Sequence, residues 1–134
     1  MSVIKILLVD DFVAWQVFMR DMFELEADFK IIGTANDGVE AVQKATEAQP
    51  DVILMDIGLP KLNGFEAAHH IRMLSPASRI LFLTEHRGSD FVNAAFKAGG
   101  LGYVLKVSAN SDLITGIRTI LSGQCFVSRD AADW

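Results

Sequence analysis

The sequence predicts an α/β domain: a five-stranded parallel sheet with helices on both faces, a three-layer sandwich. Two features carry this expectation. Short apolar runs alternate with amphipathic stretches five times within 134 residues, and the runs end in polar residues rather than in tight hairpin turns. Parallel neighbours cannot be joined by a hairpin; each needs a crossover, usually a helix, and right-handed crossovers distribute those helices over the sheet.

Val3–Val9 is nearly continuous in apolar residues, broken only by Lys5, as suits a strand buried on both faces. Trp15, Phe18, Met19 and Met22 follow at i, i+3, i+4 and i+7, the stripe of a first amphipathic helix. Ile31–Ala35 is the second strand, and Ala41, Val42 and Ala45 mark a second helix that stops before Pro50. Val52–Met55 is the third strand. A turn-rich loop over Gly58–Gly64 leads to a helix striped by Phe65, Ala68 and Ile71 and closed by Ser75-Pro76. Ile80–Leu83 is the fourth strand, with Val92, Ala95, Phe96 and Gly99 on the following helix. Tyr103–Leu105 is the fifth, and Leu113, Ile114, Ile117, Ile120 and Leu121 stripe the last helix. Gly99-Gly100-Leu101-Gly102 precedes a strand, so it reads as a helix C-cap and turn rather than a phosphate loop. His69-His70 lacks the i, i+4 spacing of a helical metal pair and reads as a solvated face. Ser128–Trp134 shows no periodicity and reads as a tail or the start of a linker, with Phe126 and Trp134 available to dock a partner.

Composition narrows the function. With 51% hydrophobic and 22% charged residues the chain is neither disordered nor membrane-spanning. Area scaling gives roughly 6,900 Å² of exposed surface, about a third of that of the unfolded chain. The single Cys125 cannot close an intramolecular disulfide, and Met1–Lys5 lacks a signal-peptide layout, so a cytoplasmic location is expected. No apolar run approaches the roughly 18 residues of a membrane span. A net charge of −5 speaks against a nucleic-acid surface on this segment.

In an open α/β sheet, ligands bind beyond the carboxyl ends of the strands. Strand one runs into Asp10-Asp11, strand three into Asp56, strand four into Thr84 and strand five into Lys106. Singly, each has an ordinary reading: helix cap, turn starter, solvated charge. Together they predict one polar rim. Three carboxylates in close range repel one another unless a cation neutralises them, and a hard, oxygen-preferring ion such as Mg²⁺ suits them better than zinc. Mg²⁺ in turn suits a phosphorylated substrate, and a carboxylate can accept a phosphoryl group. Asp56 is then the natural nucleophile, Lys106 balances the added negative charge, and Thr84 donates to a phosphoryl oxygen.

Val9-Asp10-Asp11, Met55-Asp56-Ile57-Gly58-Leu59-Pro60, Leu83-Thr84 and Gly102-Tyr103-Val104-Leu105-Lys106 resemble, in order and spacing, the signature blocks of bacterial response-regulator receiver domains. The resemblance implies the flavodoxin-like, CheY-like fold with five helices and strand order 2-1-3-4-5. It implies a receiver over residues 1–124, with 125–134 as tail or linker. It makes Asp56 the phosphoacceptor, Asp11 a direct Mg²⁺ ligand, Asp10 an acid acting through water, and the Gly58 carbonyl a further ligand. Thr84 becomes the switch hydroxyl, Tyr103 an aromatic that turns inward, and Lys106 the phosphate-binding lysine. Implied partners are a histidine kinase or phosphotransfer protein and a second copy of the chain; the domain is regulatory rather than an enzyme with an external substrate. Asp56–Ala68, Leu83–His86 and Gly123–Ser128 are similar to the NarL/LuxR-type subgroup, whose members carry a DNA-binding helix-turn-helix domain after a linker. Val107 stands where many receivers have Pro, and Glu85 where a small residue is usual. Gly58 puts no side chain over the acceptor, and His86 is placed to reach it.

Other readings stand beside this one. A flavin-binding carrier would need a Ser/Thr/Gly-rich first loop where Asp10-Asp11-Phe12-Val13 stands. A small-substrate phosphohydrolase would need an acid two residues after the nucleophile, where the chain has Gly58. A stand-alone receiver, or a degenerate receiver used for docking alone, would keep the fold without the phosphorylation-driven output.

Overall fold

The computed structural model describes residues 3–133; Met1, Ser2 and the candidate docking residue Trp134 lie outside the described residues. The strands are β1 (Ile4–Val9), β2 (Phe29–Ala35), β3 (Val52–Met55), β4 (Arg79–Thr84), β5 (Gly102–Leu105) and β6 (Phe126–Val127). The helices are α1 (Val13–Glu24), α2 (Gly38–Ala48), α3 (Gly64–Leu74), α4 (Ser89–Lys97) and α5 (Ala109–Leu121), with one 3₁₀ turn at Lys106–Ser108. Every strand pair is parallel, in the order β2-β1-β3-β4-β5-β6. The expected 2-1-3-4-5 sheet is present, extended by one short strand.

Alternation along the strands divides the core into two layers. Leu7, Val9, Ile53, Met55, Phe82, Tyr103 and Leu105 face α2, α3 and α4, whose contact residues are largely alanines. Ile6, Leu8, Val52, Leu54, Leu81, Leu83 and Val104 face α1 and α5 through Met19, Phe23, Leu113, Ile117 and Ile120. The accessible surface is 6875 Å², as area scaling predicts. Among the described residues no helix is long and apolar enough to cross a membrane.

Two local differences from the sequence reading matter. In α1 the buried residues are Gln16, Met19 and Phe23, while Phe18 is exposed and Trp15 and Met22 only lean on the core. The helix is thus turned from the stripe its apolar residues suggest, because a polar side chain, Gln16, has partners inside. Second, part of the segment read as a tail belongs to the sheet. Phe126 and Val127 pair with Gly102 and Tyr103, and the Phe126 ring lies on α5 at Gly116, where an added Cβ would come within 3.0 Å of it. A glycine inside a helix costs about 1 kcal/mol relative to alanine; here it makes room for that ring.

Candidate functional site

β1 has β2 on one side and β3 on the other, so the crossovers leave it in opposite directions and open a crevice at its carboxyl end. Asp10 and Asp11 follow β1 and Asp56 follows β3 in this crevice, and each offers a carboxylate oxygen within 4.8 Å of the others'. Lys106, from the end of β5, reaches across: its Nζ lies 2.7 Å from Asp10 Oδ2 and 3.3 Å from Asp56 Oδ2. These residues, with Phe12, Gly58, Glu85 and His86, line a cavity of about 440 Å³.

The backbone holds the carboxylates in place. Asp10 Oδ1 accepts the Phe12 N–H at 2.9 Å, and Asp56 Oδ1 accepts that of Ile57 at 2.7 Å. α1 has no side-chain cap and no acid in its first turn, so the acidic pair sits just ahead of an uncapped helix start. After Asp56 the chain folds back so closely that a Cβ on Gly64 would overlap the Asp56 carbonyl. Gly64 N–H donates to the Ile57 carbonyl at 2.7 Å, and Asn63 with Glu66 forms a capping box that starts α3.

Charge and burial compete here. Burial raises the Asp10 pKa above the ordinary carboxylate value, against the Lys106 and Phe12 hydrogen bonds, and the Asp56 charge adds to the rise. For Lys106 burial, the largest single influence, disfavours the ammonium. The hydrogen bond to Asp10 and the charges of Asp56 and Asp10 together outweigh it, and its pKa lies above the usual lysine value. The ammonium also lies 5.2 Å from the centre of the Trp15 ring, a cation–π contact.

Thr84 and Tyr103 do not line the cavity but stand behind it. Thr84 is fully buried and its Oγ1 accepts the His86 N–H at 3.3 Å. Tyr103 is turned inward and fully buried, and its hydroxyl donates to the His86 carbonyl at 2.7 Å. Burial, then the Asp56 charge, pushes its phenol far above the ordinary value. The His86 ring stacks on Phe91 at 4.8 Å and reaches over Gly58, its Nε2 3.7 Å from where a Cβ would stand there. Glu85, also on the cavity wall, is exposed.

Sequence reading missed three contributors. Gln16 lies under Asp10, Trp15 under Lys106, and the C-terminal segment closes the far side. Ser128 N–H donates to the Tyr103 carbonyl at 2.8 Å, and its Oγ accepts from Leu105 N and donates to Asp112 Oδ2. Gly88 N–H donates to the Ala131 carbonyl at 2.8 Å, and Ala131 is fully buried.

The Response regulator receiver domain profile matches residues 6–118. A putative transcriptional regulator of Pseudomonas aeruginosa is 34% identical over 119 residues, 89% of this chain and 57% of that protein. The transcriptional regulatory protein DegU of Brevibacillus brevis is 31% identical over 124 residues, 92% of this chain and 52% of that one. The crystal structure of a LuxR-family two-component response regulator from Aurantimonas sp. superposes with a TM-score of 0.91 at 38% identity, covering 97% of this chain and 93% of that one. The chain spans about half the length of the curated relatives it matches.

Proposed function

Because the chain belongs to the response regulator receiver domain family, we propose that it is a switch thrown by transfer of a phosphoryl group to Asp56. The observation that carries this reading is the Lys106 ammonium between Asp10 and Asp56, with Asp11 completing an oxygen cluster. A structural ion pair needs one acid; three acids around one lysine leave negative charge for a divalent ion to neutralise. The donor set is all hard oxygen and fits Mg²⁺, which would be held by Asp11, Asp56 and the Gly58 carbonyl, with Asp10 acting through water. When bound, that ion offsets carboxylate repulsion and polarises an incoming phosphoryl group.

In transfer, an Asp56 oxygen forms a bond to phosphorus as the phosphorus–nitrogen bond of a donor phosphohistidine breaks, its electron pair returning to the imidazole. Lys106 exchanges its contact with Asp56 for one with the phosphoryl oxygens, keeping Asp10 as its second partner. Thr84 releases the His86 N–H and donates to a phosphoryl oxygen, pulling the loop before α4 toward the rim. That loop carries the His86 carbonyl on which Tyr103 rests and the Gly88 N–H that holds Ala131. The displacement therefore reaches α4, β5 and the C-terminal segment, and a bias of a few kcal/mol between two packings is enough for a switch. The output is pairing of two copies, or release of a DNA-binding domain attached after the segment that carries β6, in a cytoplasmic regulator of transcription. The chain turns over no substrate other than its own acyl phosphate. A phosphorylation-independent docking module is the second reading, favoured by one observation: Glu85, large and anionic, stands at the cavity where receivers usually have a small residue.

Intact mass after incubation with acetyl phosphate, with and without Mg²⁺, decides between them. A Mg²⁺-dependent phosphoryl adduct on the wild type, absent from Asp56→Asn, is expected. No adduct with acetyl phosphate, together with no binding of beryllofluoride, would leave the docking module.

A further inference from the structure

Gln16 is the polar member of the three residues that α1 buries, and its partners explain why. The side-chain Nε2 donates one hydrogen to the Asp10 carbonyl at 2.6 Å and one to Asn36 Oδ1 at 2.6 Å. Asn36 is itself held through its N–H by Glu40 Oε1 at 2.6 Å, in the first turn of α2. Asp10 N–H pairs with the Ala35 carbonyl at 3.0 Å. One amide thus joins the loop after β1 to the loop after β2, and the loop it holds carries two of the three clustered carboxylates. α1 offers no cap of its own to fix that loop. A neutral amide fixes it without adding a positive charge that would compete with a cation for the acids.

We propose that Gln16 is a positioning residue for divalent-cation binding. By pinning the Asp10 peptide it holds the Asp10 and Asp11 carboxylates where they share one ion with Asp56. This role rests on the cation reading of the rim given above. It resembles the part that outer residues play in other metal sites, where their loss weakens binding about 10- to 100-fold.

The test is a Mn²⁺ titration of the full chain, followed by the electron paramagnetic resonance of free Mn²⁺, on wild type, Gln16→Met, Asn36→Ala and Asp11→Asn. Methionine matches glutamine in length and helix propensity but donates no hydrogen bond. Gln16→Met should bind Mn²⁺ about 10-fold more weakly, and Asn36→Ala should lose a smaller factor. In the metal-free protein, amide exchange at Asp11 and Phe12 should be faster in Gln16→Met, with melting temperature as the check that it is folded. The role is overturned if Gln16→Met binds within about twofold of wild type while Asp11→Asn loses binding. If wild type itself binds no Mn²⁺, the cation reading falls and takes this role with it. Should Gln16→Met not fold, unchanged affinity in Asn36→Ala overturns the proposal.

Discussion

The acidic rim and the C-terminal clasp lie at neighbouring ends of the same sheet and are built on opposite principles. The rim is made of side chains: three carboxylates and a lysine, joined by ion pairs at 2.7 and 3.3 Å, with burial working against the ionised forms of Asp10 and Lys106. The clasp (Phe126 to Ala131) is made mostly of backbone, with Phe126 N–H donating to the Leu101 carbonyl, Ser128 N–H to the Tyr103 carbonyl, and one hydroxyl, Ser128 Oγ, satisfying two neighbours. On the phosphorylation reading proposed above, charges gathered against their own repulsion serve a reaction, whereas paired amides serve a shape. Changes at the rim should therefore alter chemistry more than stability, and changes in the clasp should do the reverse.

That division can be broken by experiment. The largest stability effect is expected from Phe126→Ala, which empties the space over Gly116 and loosens the β5–β6 pair. Chemical denaturation should show a loss of about 2 kcal/mol, below the full cost of a buried aromatic because the ring is only partly covered. Ser128→Ala should cost about 1.5 kcal/mol, since it leaves the buried Leu105 N–H without its acceptor. Its rate of phosphoryl uptake from acetyl phosphate should match wild type; a tenfold drop would mean that the clasp belongs to the chemistry. Tyr103→Phe removes the bond to the His86 carbonyl and should cost about 1 kcal/mol, with faster amide exchange at Gly88 as its local signature. The smallest effect should have the opposite sign. In metal-free buffer Asp10→Asn should melt slightly higher than wild type. Asp10 has a raised pKa in the folded protein, so the native state holds its proton more tightly than the unfolded chain does, and the ionised carboxylate opposes folding at neutral pH. The advantage of Asp10→Asn should shrink as the pH falls through that raised pKa, where wild type becomes neutral too. A variant that melts lower at neutral pH would show the ion pair with Lys106 to be worth more than the burial it costs.

The same contrast explains what could be read in the sequence. The rim was legible because each of its residues ends an apolar strand run, and a strand end fixes where a side chain goes: Asp10, Asp56 and Lys106 meet as expected. Thr84 falls at its expected strand end, yet its hydroxyl is held by His86 N–H behind the cavity, a choice of hydrogen-bond partner that no spacing encodes. α1 misled because Phe18 and Met22 compete with Met19 and Phe23 for the core. The outcome was decided by Gln16, whose acceptors lie in the loop just before α1 and in the loop after β2, one of them 20 residues away in sequence. β6 left no mark because two paired residues cannot show alternation, and Ser128 and Ala131 are buried by contacts with β5, α5 and the loop before α4.

β6 has one more consequence, for the behaviour of the chain among its own copies. Without it the sheet would end at Gly102-Tyr103-Val104-Leu105, four buried residues that include the strand formers Tyr103 and Val104, with a free row of N–H and C=O groups, the kind of edge that recruits a neighbouring chain into a growing sheet. With it the sheet ends in a strand of two residues, followed by Ser128, whose hydroxyl is spent inward, and by Asp130 at a φ of +69°, where the chain leaves the extended conformation. The stretch that reads as a loose end thus covers the long edge of β5 and leaves in its place one only two residues long.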